Sequence, residues 1–280
     1  MKNHWIQKYL PFTLGSLSLV WQALFFYVPL LCVIVLSFTG DTPYAAFQGF
    51  FSAVYVRIIV RSLGMAFLTA SMCLMIGYPF AYFLVFHTHR LRNLLLFLVM
   101  LPFWTNFLLH ICAWFFVLDR QGLLSYLLQK LGILSGPLMI LNTYWAIIIM
   151  MVYFYLPFMI LPLYTALDRF DQRLLEASLD LGATWWQTVT RVLLPLTMPG
   201  IRVGFLLVCI PAFGEFAIPE FMGGDRTMFV GSVIKHLILG AESEVAGSAF
   251  TLISSLVLVI VIGMLYLIIG RLVPSRYEKE

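Results

Sequence analysis

The chain has 280 residues, of which 62% are hydrophobic and 11% are charged, and its net charge is +4. An average soluble domain carries roughly 25% charged residues, so this chain has too little charge to cover a water-exposed surface of its size. A nucleic-acid-binding surface would need a clustered basic face, which so mild a charge does not indicate. The composition therefore predicts a polytopic membrane protein of the all-α class.

Six segments are apolar over a length sufficient for a membrane-spanning helix, which needs about 20 residues. They cover residues 17–38, 63–86, 94–118, 144–167, 199–218 and 245–270. Pro157 and Pro162 predict kinks in the fourth segment, which neighbouring helices must accommodate. We expect these segments to form a single transmembrane domain over residues 1–280.

Basic residues in the tails and connecting loops predict the orientation, because lysine and arginine are enriched on the cytoplasmic side of a membrane. With six spans both termini lie on one side, which carries ten basic residues: Lys2, Lys8, Arg90, Arg92, Arg169, Arg173, Arg191, Arg271, Arg276 and Lys279. The other side carries six: Arg57, Arg61, Arg120, Lys130, Arg226 and Lys235. The difference predicts cytoplasmic termini and a cytoplasmic loop between the fourth and fifth spans.

Within that loop, residues 174–195 form a polar stretch longer than a simple connection requires. Apolar residues recur at helical spacing on both sides of Gly182, so the pattern predicts a helix, a glycine turn and a second helix over 184–194. Glu176 and Asp180 are four residues apart and share one face of the first helix. Pro195 is expected to end the second helix. A docking element and a plain interfacial connector are the two interpretations of this loop.

The spacing of residues in this loop is also that of a known motif. The motif residues are Glu176, Ala177, Ser178, Gly182, Val192, Leu193, Leu194 and Pro195. This pattern resembles the EAA loop of ABC importer permeases, with serine in place of the second alanine. The resemblance implies that the first helix is a coupling helix, which sits in a cleft of an ATP-binding subunit. Glu176 would offer a charge to a basic cleft, and Gly182 would permit the turn.

Five longer stretches resemble permeases of the spermidine/putrescine type: IGYPFAYFL, LPFWTNFLLH, VYFYLPFMILPLYTALDRFD, LLPLTMPGI and FMGGDRTMFVGSVI. The resemblance implies a type I ABC importer permease fold with the coupling helix between the fourth and fifth spans. It also implies a second permease subunit, two ATPase subunits and a periplasmic polyamine-binding protein. The chain has no GxxxxGK[ST] phosphate loop. We therefore expect it to be no enzyme and to bind no cofactor, with ATP and Mg²⁺ used by the partner ATPase.

Carboxylates and aromatic rings alternate in the stretch IPAFGEFAIPEF. A polyamine carries separated positive charges, so a site for it needs carboxylates with aromatic faces beside them. Glu215, Phe216 and Glu220 are therefore candidates for the substrate path, and Lys235 matches a lysine of the resembled family. Alternative roles are a structural salt bridge from Glu215 to Arg202 or Lys235, and an ordinary loop acid for Glu220.

Polar groups within the third span are further candidates for the substrate path: Trp104, Asn106 and His110. Asn106 and His110 are four residues apart and could face a cavity or hydrogen-bond a neighbouring helix. His110 departs from the resembled family, in which arginine is usual. The four cysteines lie singly in apolar runs, so no metal site is predicted.

Three other functions remain as alternatives. A secondary transporter would need its own coupling-ion site and, in many folds, inverted repeats, and neither is evident. A membrane-embedded enzyme would need catalytic groups clustered at one depth. An ABC importer for another solute, such as an iron chelate or a small anion, is the nearest alternative.

Overall fold

The computed structural model describes residues 16, 18–39, 49–50, 52–88, 90–133, 135–224, 228–240 and 243–272. The regular structure in these ranges is helical and contains no strand, which confirms the all-α class. Five basic residues used to predict the orientation lie outside the described ranges: Lys2, Lys8, Arg226, Arg276 and Lys279.

The helices follow one another along the chain as α1 (Ser18–Phe38), α2 (Ala53–Phe86), α3 (Arg92–Met100), α4 (Phe107–Leu118), α5 (Leu123–Lys130), α6 (Tyr144–Asp168), α7 (Arg173–Asp180), α8 (Trp185–Gly214), α9 (Ala217–Gly223), α10 (Val230–Leu239) and α11 (Glu244–Leu272). A 3-10 turn, Leu101–Trp104, extends α3. By length and composition, six segments of the described residues can cross a membrane: α1, α2, α4 together with α5, α6, α8 and Glu244–Leu267 of α11. The predicted number of six spans is therefore confirmed, although the third candidate covers Phe107–Lys130 instead of residues 94–118.

The third predicted span, residues 94–118, is divided between α3 and α4, although its hydropathy predicted one continuous helix. α3 and its 3-10 turn end before Thr105, whose backbone is extended, and α4 begins directly after Asn106. The Asn106 side chain caps α4 by accepting a hydrogen bond from the Leu108 N–H at 2.9 Å. Hydropathy records how apolar a segment is, so it does not reveal a cap that starts a new helix within an apolar run.

Pro195 was predicted to end the second helix of the loop, but the helix continues through it. α8 continues past it to Gly214, so the fifth span begins within the loop and ends earlier than residue 218. The turn Val189–Leu193 is π-helical, and the Leu194 N–H bonds to the Val189 carbonyl. In a regular α-turn the proline ring would clash with the carbonyl four residues earlier. The wider π turn directly before Pro195 relieves that clash.

The chain divides into two compact units. The first comprises Met1–Val56 and Val233–Leu256, and the second comprises Arg57–Ser232 and Val257–Glu280. In the first unit, Phe50, Tyr55 and Phe250 form an aromatic cluster with ring centroids 4.8, 5.1 and 5.4 Å apart. Edge and tilted ring contacts of this kind stabilise a small apolar core.

The core of the second unit is built on α6 and α8, which pack closely together. A Cβ atom on Gly200 would lie 2.7 Å from the Pro162 carbonyl oxygen, and one on Gly204 would lie 2.8 Å from the Met159 sulfur. Glycines four residues apart let two helix backbones approach each other. The backbones of α6 and α8 are therefore close together at these glycines, and side chains elsewhere on the two helices can also make contact.

We expect Gly200→Ala to lower the thermal midpoint of the detergent-solubilised protein. The added methyl group has no space against α6, and overpacking of this kind costs about 1–3 kcal/mol. Gly64→Ala is the matched control, because no atom lies within 4 Å of a Cβ built at Gly64. Thermal unfolding of both variants checks the expectation, and equal midpoints would show that the close approach at Gly200 is unimportant.

Candidate functional site

α7 and the start of α8 form the helix, turn and helix predicted for the loop. Gly182 lies between them with φ +84°, so the predicted glycine turn is present. Its N–H bonds to the Leu179 carbonyl at 2.9 Å, and the Ala183 N–H bonds to the Ser178 carbonyl at 3.1 Å. These two bonds form a Schellman C-cap, in which residues other than glycine are strained.

The second helix of the loop is fixed by a capping box between Thr184 and Gln187. The Gln187 side-chain oxygen accepts from the Thr184 N–H at 2.9 Å, and Thr184 Oγ1 accepts from the Gln187 N–H at 3.4 Å. Across the turn, the hydroxyls of Ser178 and Thr188 are hydrogen-bonded at 3.0 Å. The loop is therefore tied together on both sides of Gly182.

The surface of this loop combines a carboxylate with apolar side chains. Glu176 and Ala177 are exposed on α7. Leu181 at the turn is 88% exposed, and Trp186 is 73% exposed. Exposed apolar groups rimmed by polar ones mark a surface that contacts a protein or a membrane. Leu181 and Trp186 are not part of the sequence motif, and their exposure identifies them as candidate contact residues. The last residues of the motif lie half-buried within α8: Leu194 and Pro195.

The fifth span ends in a break at Glu215, whose backbone is extended between α8 and α9. The Tyr155 hydroxyl of α6 donates to Glu215 Oε2 at 2.7 Å. Oε1 accepts from the N–H groups of Ala217 at 3.0 Å and Ile218 at 3.5 Å. The carboxylate therefore joins α6, α8 and the first turn of α9. Sequence reasoning selected Glu215 but missed Tyr155, although a tyrosine in an apolar span usually needs a partner for its hydroxyl.

The Glu215 carboxylate is held by hydrogen bonds from Tyr155, Ala217 and Ile218, which all belong to the second unit. Arg202, one partner considered for a salt bridge, places its guanidinium carbon 5.5 Å from the centre of the Tyr266 ring. Lys235, the other partner considered, lies on the part of α10 that belongs to the first unit and is half-buried.

Phe216 and Glu220 follow directly on the same segment. Phe216 precedes α9 and is 42% exposed, and Glu220 is exposed on α9 itself. α9 packs against α4 and α6. The structure therefore places Glu215, Phe216 and Glu220 together at the end of the fifth span, with two of the three open to their surroundings.

His110 links the break in the third span to α6. Its Nε2 donates to the Pro102 carbonyl oxygen at 3.1 Å, and its Nδ1 lies 2.9 Å from the Tyr153 hydroxyl. The Asn106 side chain caps α4, and its backbone carbonyl accepts from the His110 N–H at 3.4 Å. Trp104, at the end of the 3-10 turn, is 73% exposed. The polar residues of the third span thus surround its break, which sequence reasoning did not anticipate.

The chain matches the family model of the binding-protein-dependent transport system inner membrane component over residues 49–279. The spermidine/putrescine transport system permease protein PotB of Haemophilus influenzae is 42% identical over 269 residues, which cover 93% of this chain and 94% of that protein. PotB of Escherichia coli K12 is 39% identical over 272 residues, which cover 93% of this chain and 98% of that protein.

A solved structure has a similar fold. It is the crystal structure of a bacterial alginate ABC transporter in complex with an alginate pentasaccharide-bound periplasmic protein, and one of its chains superposes with a TM-score of 0.74. The match covers 98% of this chain and 99% of that chain at 17% identity, so it concerns the fold alone. From the family model, the relatives and the six apolar helices, the chain belongs to the binding-protein-dependent transport system inner membrane components and is a multi-pass inner-membrane protein.

Proposed function

We propose that the chain is the permease subunit of an ATP-driven ABC importer that carries polyamines, putrescine or spermidine, across the bacterial inner membrane. It works with a second permease subunit, two ATPase subunits and a periplasmic polyamine-binding protein. Both termini are cytoplasmic, so α7 and Gly182 face the ATPase, whereas the break at Glu215 faces the periplasm.

The observation that carries this proposal is the similarity to the two PotB proteins, at 39% and 42% identity over 93% of the chain. A short motif such as the EAA loop is common to importers of many solutes and would leave the substrate open. Similarity over nearly the whole length also includes the spans that line a translocation path. It therefore supports polyamines as the substrate class.

The geometry at the end of the fifth span supports a cationic substrate. Glu215 supplies a carboxylate held in one position, and Phe216 and Glu220 supply an exposed ring and a second carboxylate on the same segment. An ammonium group is attracted both to a carboxylate and to the face of an aromatic ring. A small anion would meet two like charges there, which argues against an importer for anions.

The loop around Gly182 supports transfer of energy from a separate ATPase. α7 presents Glu176 and two small neighbours, Ala177 and Ser178, while the Schellman cap and the capping box hold its orientation. Small side chains allow a partner surface to come close, and the carboxylate offers a charge to a basic cleft. In this proposal, closing and opening of the ATPase moves α7 and, through α8, the spans.

Uptake by the reconstituted complex tests the proposed function. Proteoliposomes would enclose ATP and Mg²⁺, and the binding protein with radiolabelled putrescine or spermidine would be supplied at the binding-protein side. We expect the labelled polyamine to accumulate inside the vesicles in an ATP-dependent way. Addition of the other polyamine in unlabelled form should reduce this accumulation. Absence of uptake of both polyamines by a complex that hydrolyses ATP would contradict the polyamine assignment.

We also expect the chain purified alone to hydrolyse no ATP, and the chain purified from its native membrane to carry a P-loop ATPase with it. The reason is the lack of a phosphate loop in a chain that has a coupling-type loop. The check on ATP hydrolysis is to measure phosphate release by the single chain and by the whole complex under the same conditions. Hydrolysis by the single chain, free of other subunits, would disprove it.

A further inference from the structure

Tyr155 is the group that fixes one oxygen of the Glu215 carboxylate. The residue is 4% exposed, and its ring meets Phe154 edge to face at a centroid distance of 5.4 Å. A ring packed in this way holds its hydroxyl in one place. The 2.7 Å hydrogen bond to Oε2 therefore restricts the carboxylate as well as satisfying a buried hydroxyl.

The hydrogen bonds leave acceptor capacity at one side of the carboxylate. A carboxylate has about four acceptor positions, two on each oxygen. Oε1 accepts from two backbone N–H groups, whereas Oε2 accepts from Tyr155. Oε2 therefore keeps one acceptor position, and the oxygen of Tyr155 beside it can also accept. Glu215 is half-buried rather than enclosed, so its carboxylate is partly open to a ligand.

We propose that Tyr155 is a positioning residue of the substrate path, which orients Glu215 so that Oε2 receives an ammonium group of the polyamine. This inference rests on the proposed function. An alkylammonium group has three N–H donors, so it can bond to Oε2 and to the Tyr155 oxygen together. The site is thus a carboxylate and a phenol oxygen presented side by side to a primary ammonium.

The backbone at the break is held from a second direction, independently of Tyr155. A Cβ atom on Gly231 of α10 would meet the Gly214 carbonyl oxygen and would lie 3.0 Å from the carbonyl carbon of Glu215. The Val230 N–H next to it bonds to the Ser62 hydroxyl of α2 at 2.9 Å. Removal of the Tyr155 hydroxyl therefore releases Oε2 of Glu215 and leaves the backbone at the break supported.

A second tyrosine of α6 provides a matched control. Tyr153 lies two residues before Tyr155, and its hydroxyl bonds to His110 at the break in the third span. Residues two apart in a helix do not share a face, so each tyrosine serves a different break. Tyr153→Phe removes the same hydroxyl from the same helix without touching the contact to Glu215.

The test measures polyamine transported per ATP hydrolysed by the whole complex, with loaded binding protein at saturation. We expect Tyr155→Phe to lower this ratio about fivefold, the effect of one ordinary hydrogen bond. Glu215→Gln should lower it further, and the double variant should be no worse than Glu215→Gln alone, because Tyr155 acts through Glu215. In the double variant of Tyr153→Phe with Glu215→Gln, the fold-loss in this ratio should instead equal the product of the two single-variant losses.

The outcomes separate positioning from structural support. A normal ratio in Tyr155→Phe, or a double variant whose loss is the product of the single losses, would overturn the inference. Less assembled complex with a normal ratio in the complex that forms would also overturn it, since the hydrogen bond would then be structural. Failure of the wild-type complex to transport any polyamine is a different result, which refutes the proposed function and this inference with it.

Discussion

Replacing Glu215 with glutamine is expected to lower polyamine transport about tenfold or more, because a charge-assisted hydrogen bond contributes about 1.5–3 kcal/mol. The amount of assembled complex should stay normal. Initial uptake rates in proteoliposomes at saturating binding protein measure the first quantity. The yield of ATPase subunits that copurify with the chain measures the second.

Glutamine is a clean replacement because the local hydrogen bonds can be kept. Its amide oxygen can accept from the N–H groups of Ala217 and Ile218, as Oε1 does in the wild type. Its NH₂ group then faces Tyr155, whose hydroxyl can rotate to accept instead of donate. The negative charge is lost and the break keeps its shape, so a change in transport reports on the charge.

Three companion variants sharpen this experiment. Glu215→Leu removes the hydrogen bonds as well as the charge, so it should reduce the amount of assembled complex. Glu220→Gln makes the same chemical change on the next turn and should also lower uptake about tenfold if that carboxylate meets an ammonium group. Glu244→Gln changes an exposed acid at the start of α11 and should have little effect. Normal uptake in both Glu215→Gln and Glu220→Gln would remove these residues from the mechanism.

Replacing Gly182 with valine is expected to abolish most of the ATPase stimulation that loaded binding protein produces, while the chain still inserts and assembles. Gly182 has φ +84°, a region in which a β-branched residue is a strong outlier. The strain is about 1–3 kcal/mol, which would shift the turn and misplace Glu176 on the ATPase. No atom lies within 4 Å of a Cβ built at Gly182, so the cost comes from the backbone conformation and not from a steric clash.

Gly182→Asn is the matched control for backbone strain, since asparagine tolerates positive φ better than other side chains do. It should keep a large part of the stimulation that Gly182→Val loses. The measurement is the ATPase rate of the reconstituted complex with and without loaded binding protein. Wild-type stimulation in Gly182→Val would show that this turn takes no part in coupling.

The apolar content and its segmentation were sufficient to predict six spans and an all-α chain. A spanning helix must satisfy its own backbone hydrogen bonds, so long apolar runs have one main structural outcome. The turn at Gly182 was predictable for a similar reason, because a helix that ends before glycine commonly places it at positive φ. In these cases the relevant interactions are local in sequence.

The breaks were not predictable in the same way. Residues 94–118 are mostly apolar, and the division of this span depends on the Asn106 cap and on the bond from His110 to Tyr153 of α6. Pro195 was expected to stop a helix, but a π turn allows α8 to continue past it. Each outcome depends on hydrogen bonds or on local backbone geometry that composition does not record.

By itself the sequence determined the class of protein, the number of spans, the EAA-type loop and the acidic and aromatic character of the segment after the fifth span. Only the tertiary structure decided which side chain Glu215 meets, because Tyr155 is 60 residues away along the chain. The glycine contacts at Gly200 and Gly204 bring α6 and α8 close together. A pairing of this kind depends on how two helices pack, and packing is a property of the surfaces of both helices together.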